Sequence, residues 1–134
     1  MEKEFISYTE ALALKELGFD EPCLGFYDGK GDAKLYFNNL RDASGDFKPF
    51  IRSERLTWFG TPLYQQAFRW FSKKHRIEGW VQPFLSLEPR KCQARYWDGG
   101  KTPCEGISIG VYDTYEEAEL ECLKKLIEIV KDDL

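Results

Sequence analysis

Histidine and methionine each occur once in the 134 residues, and the four cysteines are scattered with no C-x-x-C pair among them. A structural zinc site needs four nitrogen or sulfur ligands at short paired spacings. Cys23, Cys92, Cys104 and Cys122 are therefore read as reduced thiols filling the core, and no metal or cofactor is expected. A domain of this length buries enough surface to fold without disulfide staples. No apolar run reaches the ~20 residues that a membrane-spanning helix needs. The charged start, Glu2, Lys3 and Glu4, lacks the apolar stretch of a secretory signal, so a cytoplasmic protein is expected. A net charge of −4 argues against a dedicated binder of double-stranded nucleic acid, whose domains are strongly basic.

What the chain has in quantity is aromatic rings: four Trp, seven Tyr and ten Phe. That is more than a small core usually absorbs, and some of these rings are expected at a surface that binds something. Charge is unevenly spread. Residues 1–40 hold 4 basic and 8 acidic side chains and residues 113–134 hold 3 and 8, whereas residues 41–95 hold 11 basic and 5 acidic. The middle of the chain can thus attract an anion or an acidic partner although the whole is acidic.

Periodicity and turn chemistry predict one α+β domain over residues 1–134, ordered α-β-β-loop-α-β-β-β-α, with an antiparallel sheet of about five strands and three helices. Ser7 and Glu10 have the spacing of a capping box, and the first helix is predicted over 8–17 with Gly18 as its stop. Residues 23–27 and 34–37 flank a turn at 28–32 that is rich in Gly and Asp, the pattern of a hairpin. Residues 38–60 sustain no period and either serve function or hide a strand near 50–56. Thr61 followed by Pro62 reads as the cap and first position of a second helix, which has an aromatic face and a basic one. Strands are predicted at 80–85, 92–97 and 107–111. Thr114, with Glu117 three residues on, caps a third amphipathic helix.

Motif chemistry gives little. Gly99-Gly100-Lys101-Thr102 looks like the end of a phosphate loop, but the required first glycine is Arg95 and no helix pattern follows, so a hairpin turn is the better reading. Asp28 and Asp32 have calcium-loop spacing, yet Lys30 stands between them and Asn39 replaces the bidentate Glu. The lone His75 closes the second helix beside Lys73, Lys74 and Arg76 and reads as a surface or capping residue, since no nucleophile stands next to it. Glu119 falls inside the apolar arc of the third helix near Tyr115 and Leu126. There it must be paired or hydrogen-bonded, or must line a pocket.

Residues 52–80 interleave cations with rings: Arg52, Arg55, Trp58, Tyr64, Arg69, Trp70, Lys73, Lys74, Arg76 and Trp80. Trp, Tyr and Arg are the usual anchors of protein interfaces, and the same mixture suits stacking on bases and neutralising phosphates. The residues therefore favour a non-catalytic binding module, with Arg52, Arg55, Trp58, Tyr64, Arg69, Trp70, Lys73 and Trp80 as its binding set. Its ligand would be a protein partner or a nucleotide-like anionic small molecule. The alternatives are a small enzyme with Glu119 as acid or base on an anionic substrate, and a single-stranded nucleic-acid binder.

The runs from Leu17 through Gly18, Phe19 and Pro22 to Cys23, from Thr61 through Pro62 and Trp70 to Phe71, and from Tyr115 through Cys122 to Val130 resemble those of small proteins encoded in bacterial phages and prophages. The resemblance touches both ends and the middle of the chain. It implies an accessory protein of a mobile element acting in the host cytoplasm by binding host or phage machinery, and it carries no functional residue across.

Overall fold

The computed structural model describes residues 5–21, 23, 25–28, 35–37, 58–84, 91–100 and 106–133. The described residues form three helices and antiparallel β-structure, the α+β class that the sequence predicts. They hold six strands in two three-stranded sheets, where the sequence predicts about five strands in one. The chain divides into two compact units, Met1–Leu63 and Tyr64–Leu134.

The first unit contains α1 (Tyr8–Glu16), β1 (Gly25–Asp28), β2 (Leu35–Phe37) and β3 (Trp58–Thr61), with β1 central and antiparallel to both neighbours. Gly18, at φ 98°, ends α1 as the sequence predicts. Its N–H donates to the Lys15 carbonyl at 3.0 Å and the Phe19 N–H donates to the Leu14 carbonyl at 2.9 Å. These two bonds satisfy carbonyls that the helix end would otherwise leave open. At the other end the capping box differs from expectation. Ser7 makes no side-chain cap, and its hydroxyl donates to the buried Glu10 carboxylate at 2.7 Å.

Thr61 is not a helix cap. It is the last residue of β3, and its hydroxyl donates to the Ile6 carbonyl at 2.5 Å. The Tyr27 hydroxyl reaches the same carbonyl at 3.2 Å, and the Ile6 N–H donates to the Pro62 carbonyl at 3.0 Å. Phe5 forms an isolated bridge with Leu63. The bonds of Thr61 and Pro62 to residue 6, with the Phe5–Leu63 bridge, hold the 61–63 segment extended, so the helix begins only at Tyr64. Gly25 suits the close crossing, because a Cβ there would lie 3.0 Å from the Phe5 ring and 3.2 Å from the Thr61 methyl. The strand suspected near 50–56 falls outside the described residues.

The second unit contains α2 (Tyr64–His75), β4 (Glu78–Phe84), β5 (Lys91–Trp97), β6 (Ile107–Tyr112) and α3 (Tyr115–Asp132), with the three strands forming an antiparallel meander. A bulge between Ala94 and Arg95 shifts the β5–β6 register. Thr114 caps α3 as predicted, accepting from the Glu117 N–H at 3.1 Å. α3 buries Ala118, Cys122, Leu123, Leu126, Ile127 and Val130. Gly79 lets β4 approach that face, since Leu126 and Cys122 occupy the space a Cβ would need. Burial holds the Cys122 thiol protonated, pushed up to about 12, and does the same for Cys23 in the first unit. Both are inert core thiols, in agreement with the sequence reading.

Candidate functional site

The binding set read from the sequence is divided between the two units and residues outside those described. Trp58 stands in β3 of the first unit, while Tyr64, Arg69, Trp70, Lys73 and Trp80 belong to the second. Arg52 and Arg55 lie outside the described residues. Tyr64 and Trp70 are core rings, 8% and 5% exposed. Neither can stack on a ligand without pulling α2 out of its packing. Trp80 is half-buried, and its indole N–H donates to the Gln82 amide oxygen at 3.0 Å. Its ring also covers Gly106, where a Cβ would lie only 2.6 Å from Trp80 Cη2. A ladder continues across the strands, from the Gln82 amide to Gln93 at 3.2 Å and from the Gln93 amide to the Ser108 hydroxyl at 2.8 Å.

Cations remain on the outside of α2. Arg69, Lys73 and Lys74 are exposed and followed by exposed Arg76. Arg69 and Lys73 are one turn apart on the same face, separated by about 6 Å along the axis. Tyr64–His75 contains no Asp or Glu, and among the described residues none of these four cations is ion-paired. Two of the three cations of α3 are differently disposed, with Lys124 bridging to Glu121 and Lys125 to Glu128. Among the described residues the α2 cations thus make no ion pair, and the one carboxylate seen on the helix is that of Glu78, which accepts from the Ser72 hydroxyl at 2.5 Å.

At the far end of α2 a cavity of about 300 Å³ opens within the second unit. His75, Arg76 and Ile77 line it from the end of α2, and Tyr96, Asp98 and Gly99 line it from the end of β5. Ile129 and Asp133 close it from the end of α3. Arg76 has φ 58° and is the one non-glycine with positive φ among the described residues. That turn lets the Ile77 N–H reach back to the Phe71 carbonyl at 3.4 Å, and it is a strained conformation for a side chain with a Cβ. Gly99 must be glycine, since its φ is 78° and a Cβ would lie 2.8 Å from the Arg76 carbonyl oxygen.

His75 packs edge-on against Trp70, with ring centroids 5.0 Å apart at 73°, and lies 6.0 Å from the Phe71 ring. Its Nε2 is shielded from solvent and has no hydrogen-bond partner among the described residues. Desolvation, reinforced by the Lys74 charge, holds the imidazole below its ordinary 6.5, so it is neutral at pH 7. The sequence located His75 at the helix end but gave no sign of the cavity. Its walls come from three segments far apart in the chain, and only the Asp98-Gly99-Gly100 turn signal marked one of them.

Glu119 is half-buried on α3. Its negative charge lies close enough to Tyr115 and Cys122 to add to the upward push that desolvation gives their pKa values. It does not line the cavity at the opposite end of that helix. Gly99 and Gly100 follow β5 and precede β6, with no helix after them of the kind a phosphate loop feeds. No protein-family model, curated protein or solved structure matches this chain.

Proposed function

We propose that the protein is a non-catalytic binding module that docks an acidic surface of a partner protein on the outer face of α2, through Arg69, Lys73 and Lys74. The observation that carries this reading is a helix whose exposed cations have neither an acidic neighbour in the helix nor an ion partner among the described residues. Unpaired charge of one sign on one face steers association and selects partners of opposite charge. A protein surface fits better than a nucleotide or a single strand of nucleic acid, because two of the four rings proposed to stack on bases, Tyr64 and Trp70, are buried. The face is also one side of a helix rather than a cleft around a small ligand. The resemblance to phage and prophage proteins supplies the proposed setting, an accessory protein acting on host or phage machinery inside the bacterial cytoplasm.

The test is affinity capture of partners from a bacterial lysate by the wild type and by an Arg69→Ala, Lys73→Ala, Lys74→Ala variant, with a folding check by circular dichroism. The expected partners are acidic, are released as ionic strength rises from about 0.05 to about 0.5 M, and are lost from the variant. Equal recovery of the same proteins by both chains would remove these cations from the interface.

A further inference from the structure

The cavity at the end of α2 has a chemistry opposite to that of the helix face beside it. The lining residues include two carboxylates, Asp98 and Asp133, and one cation, Arg76, which is exposed; Asp98 also has an interaction of its own, whereas Asp133 lies open at the end of α3. The C-terminal ends of α2 and α3 both reach the cavity, at His75 and at Ile129 and Asp133. Each helix end carries about half a negative charge from its open carbonyls. The lysines of those last turns, Lys73, Lys74 and Lys131, are exposed and do not line the cavity. The neutral His75 adds no opposing charge, and its Nε2 is a buried polar atom without a partner among the described residues. Such atoms are rare in finished structures and mark places where something else completes the bonding.

The remaining walls are apolar or aromatic: Ile77, Ile129 and the Tyr96 ring. A cation enclosed here would keep its charge near the carboxylates and the ring face while its carbon chain lay on the isoleucines. A volume of about 300 Å³ is at the small end of ligand sites and admits a chain of a few carbons. A bare metal ion is a poorer match, since the described residues contain no group of three or more His, Cys, Asp or Glu placed to hold one. Strained backbone at Arg76, on the cavity wall, is also of the kind that accumulates at ligand sites. We infer that this cavity binds a small aliphatic amine of the polyamine class, one ammonium held by Asp133 on the side of Asp98 and its methylenes by Ile77 and Ile129.

The experiment is titration of the full chain with putrescine by calorimetry, with succinate as the anionic counterpart of the same length. In parallel, NMR follows the pH titration of His75, which as the chain's one histidine needs no assignment. Saturable binding of putrescine and none of succinate is expected, with about tenfold weaker binding in Asp133→Asn. Saturating putrescine should move the His75 midpoint down by about 0.5 pH unit or more, because an ammonium in the same cavity disfavours imidazolium. Asp133→Lys, at an exposed position, should abolish both effects while the circular dichroism spectrum is retained. Succinate binding in place of putrescine, non-saturable binding, an unchanged His75 midpoint, or equal affinity in Asp133→Asn would each overturn the assignment.

Discussion

Replacing Gly79 with alanine would put a methyl group into the contact between β4 and α3. Its Cβ would sit 2.7 Å from Leu126 Cδ1 and 2.9 Å from Cys122 Sγ, with Leu126 Cγ at 3.3 Å. Carbon atoms in good contact are about 3.5–4.0 Å apart, so the closest pair is short by roughly 1 Å. Leu126 and Cys122 are both 0% exposed, which leaves neither side chain a route into solvent. Overpacking of this kind costs about 1–3 kcal/mol. Against it stands the reduced freedom of the unfolded chain, worth about 0.4–1 kcal/mol when Gly becomes Ala. The net expectation is a loss of about 1–2 kcal/mol.

Urea unfolding followed by tryptophan fluorescence should show Gly79→Ala with a lower midpoint at unchanged slope. A Cys122→Ala background provides the internal check, since it removes one of the two clashing partners. There the cost of Gly79→Ala should fall by about 0.5–1 kcal/mol, the coupling typical of residues in direct contact. A variant as stable as wild type, or the same penalty in both backgrounds, would mean that β4 and α3 do not pack at Gly79 as described.

Two further outcomes follow from the end of α2. Arg76→Gly should raise stability by about 0.5–1 kcal/mol in the same urea assay, because glycine adopts φ near 58° without strain. Arg76→Ala keeps the Cβ and should show no such gain; equal gains in both would trace the effect to charge instead. The His75 imidazole is held below its ordinary 6.5 by desolvation and then by Lys74. In the window below that value the unfolded chain binds more protons than the folded one, so stability is fully present above 6.5 and declines as pH falls through the folded value. Comparing urea midpoints between about pH 7.5 and 5.5 should show this slope in wild type and a flatter one in His75→Gln. Parallel slopes in the two chains would refute the linkage.

Much of the fold could be read locally, and the exceptions share a cause. Gly18 as helix stop and Thr114 as cap act within a few residues of themselves, and the structure has both. Thr61 failed as a cap because its hydroxyl partner, the Ile6 carbonyl, lies 55 positions earlier in the chain, a competition that no local pattern reveals. Composition shows a high content of rings but cannot sort buried from exposed ones. Tyr64 and Trp70 lie on the aromatic face that periodicity predicts for this helix, and that signal, rather than the mixture of residue types, was the better guide to their burial. The cavity was illegible for another reason. Arg76 carries the positive φ at a helix end where glycine would have signalled the turn.

The two ligand proposals draw on opposite charges only a few residues apart, and Arg76 lies at their boundary. Beside α2 it is one exposed cation next to Arg69, Lys73 and Lys74, whereas among the residues lining the cavity it is the one cation beside two carboxylates. Removing it therefore weakens an acidic partner's attraction only modestly, since three cations remain, but strengthens the negative field that an ammonium ligand meets. Salt separates the two sites in a complementary way. Exposed cations are screened within a Debye length of about 8 Å at physiological ionic strength. An ammonium resting against isoleucines in a recess is screened less, because part of its surroundings is protein rather than electrolyte. Partner capture that collapses with salt while putrescine binding persists would thus assign the two activities to distinct surfaces of one unit.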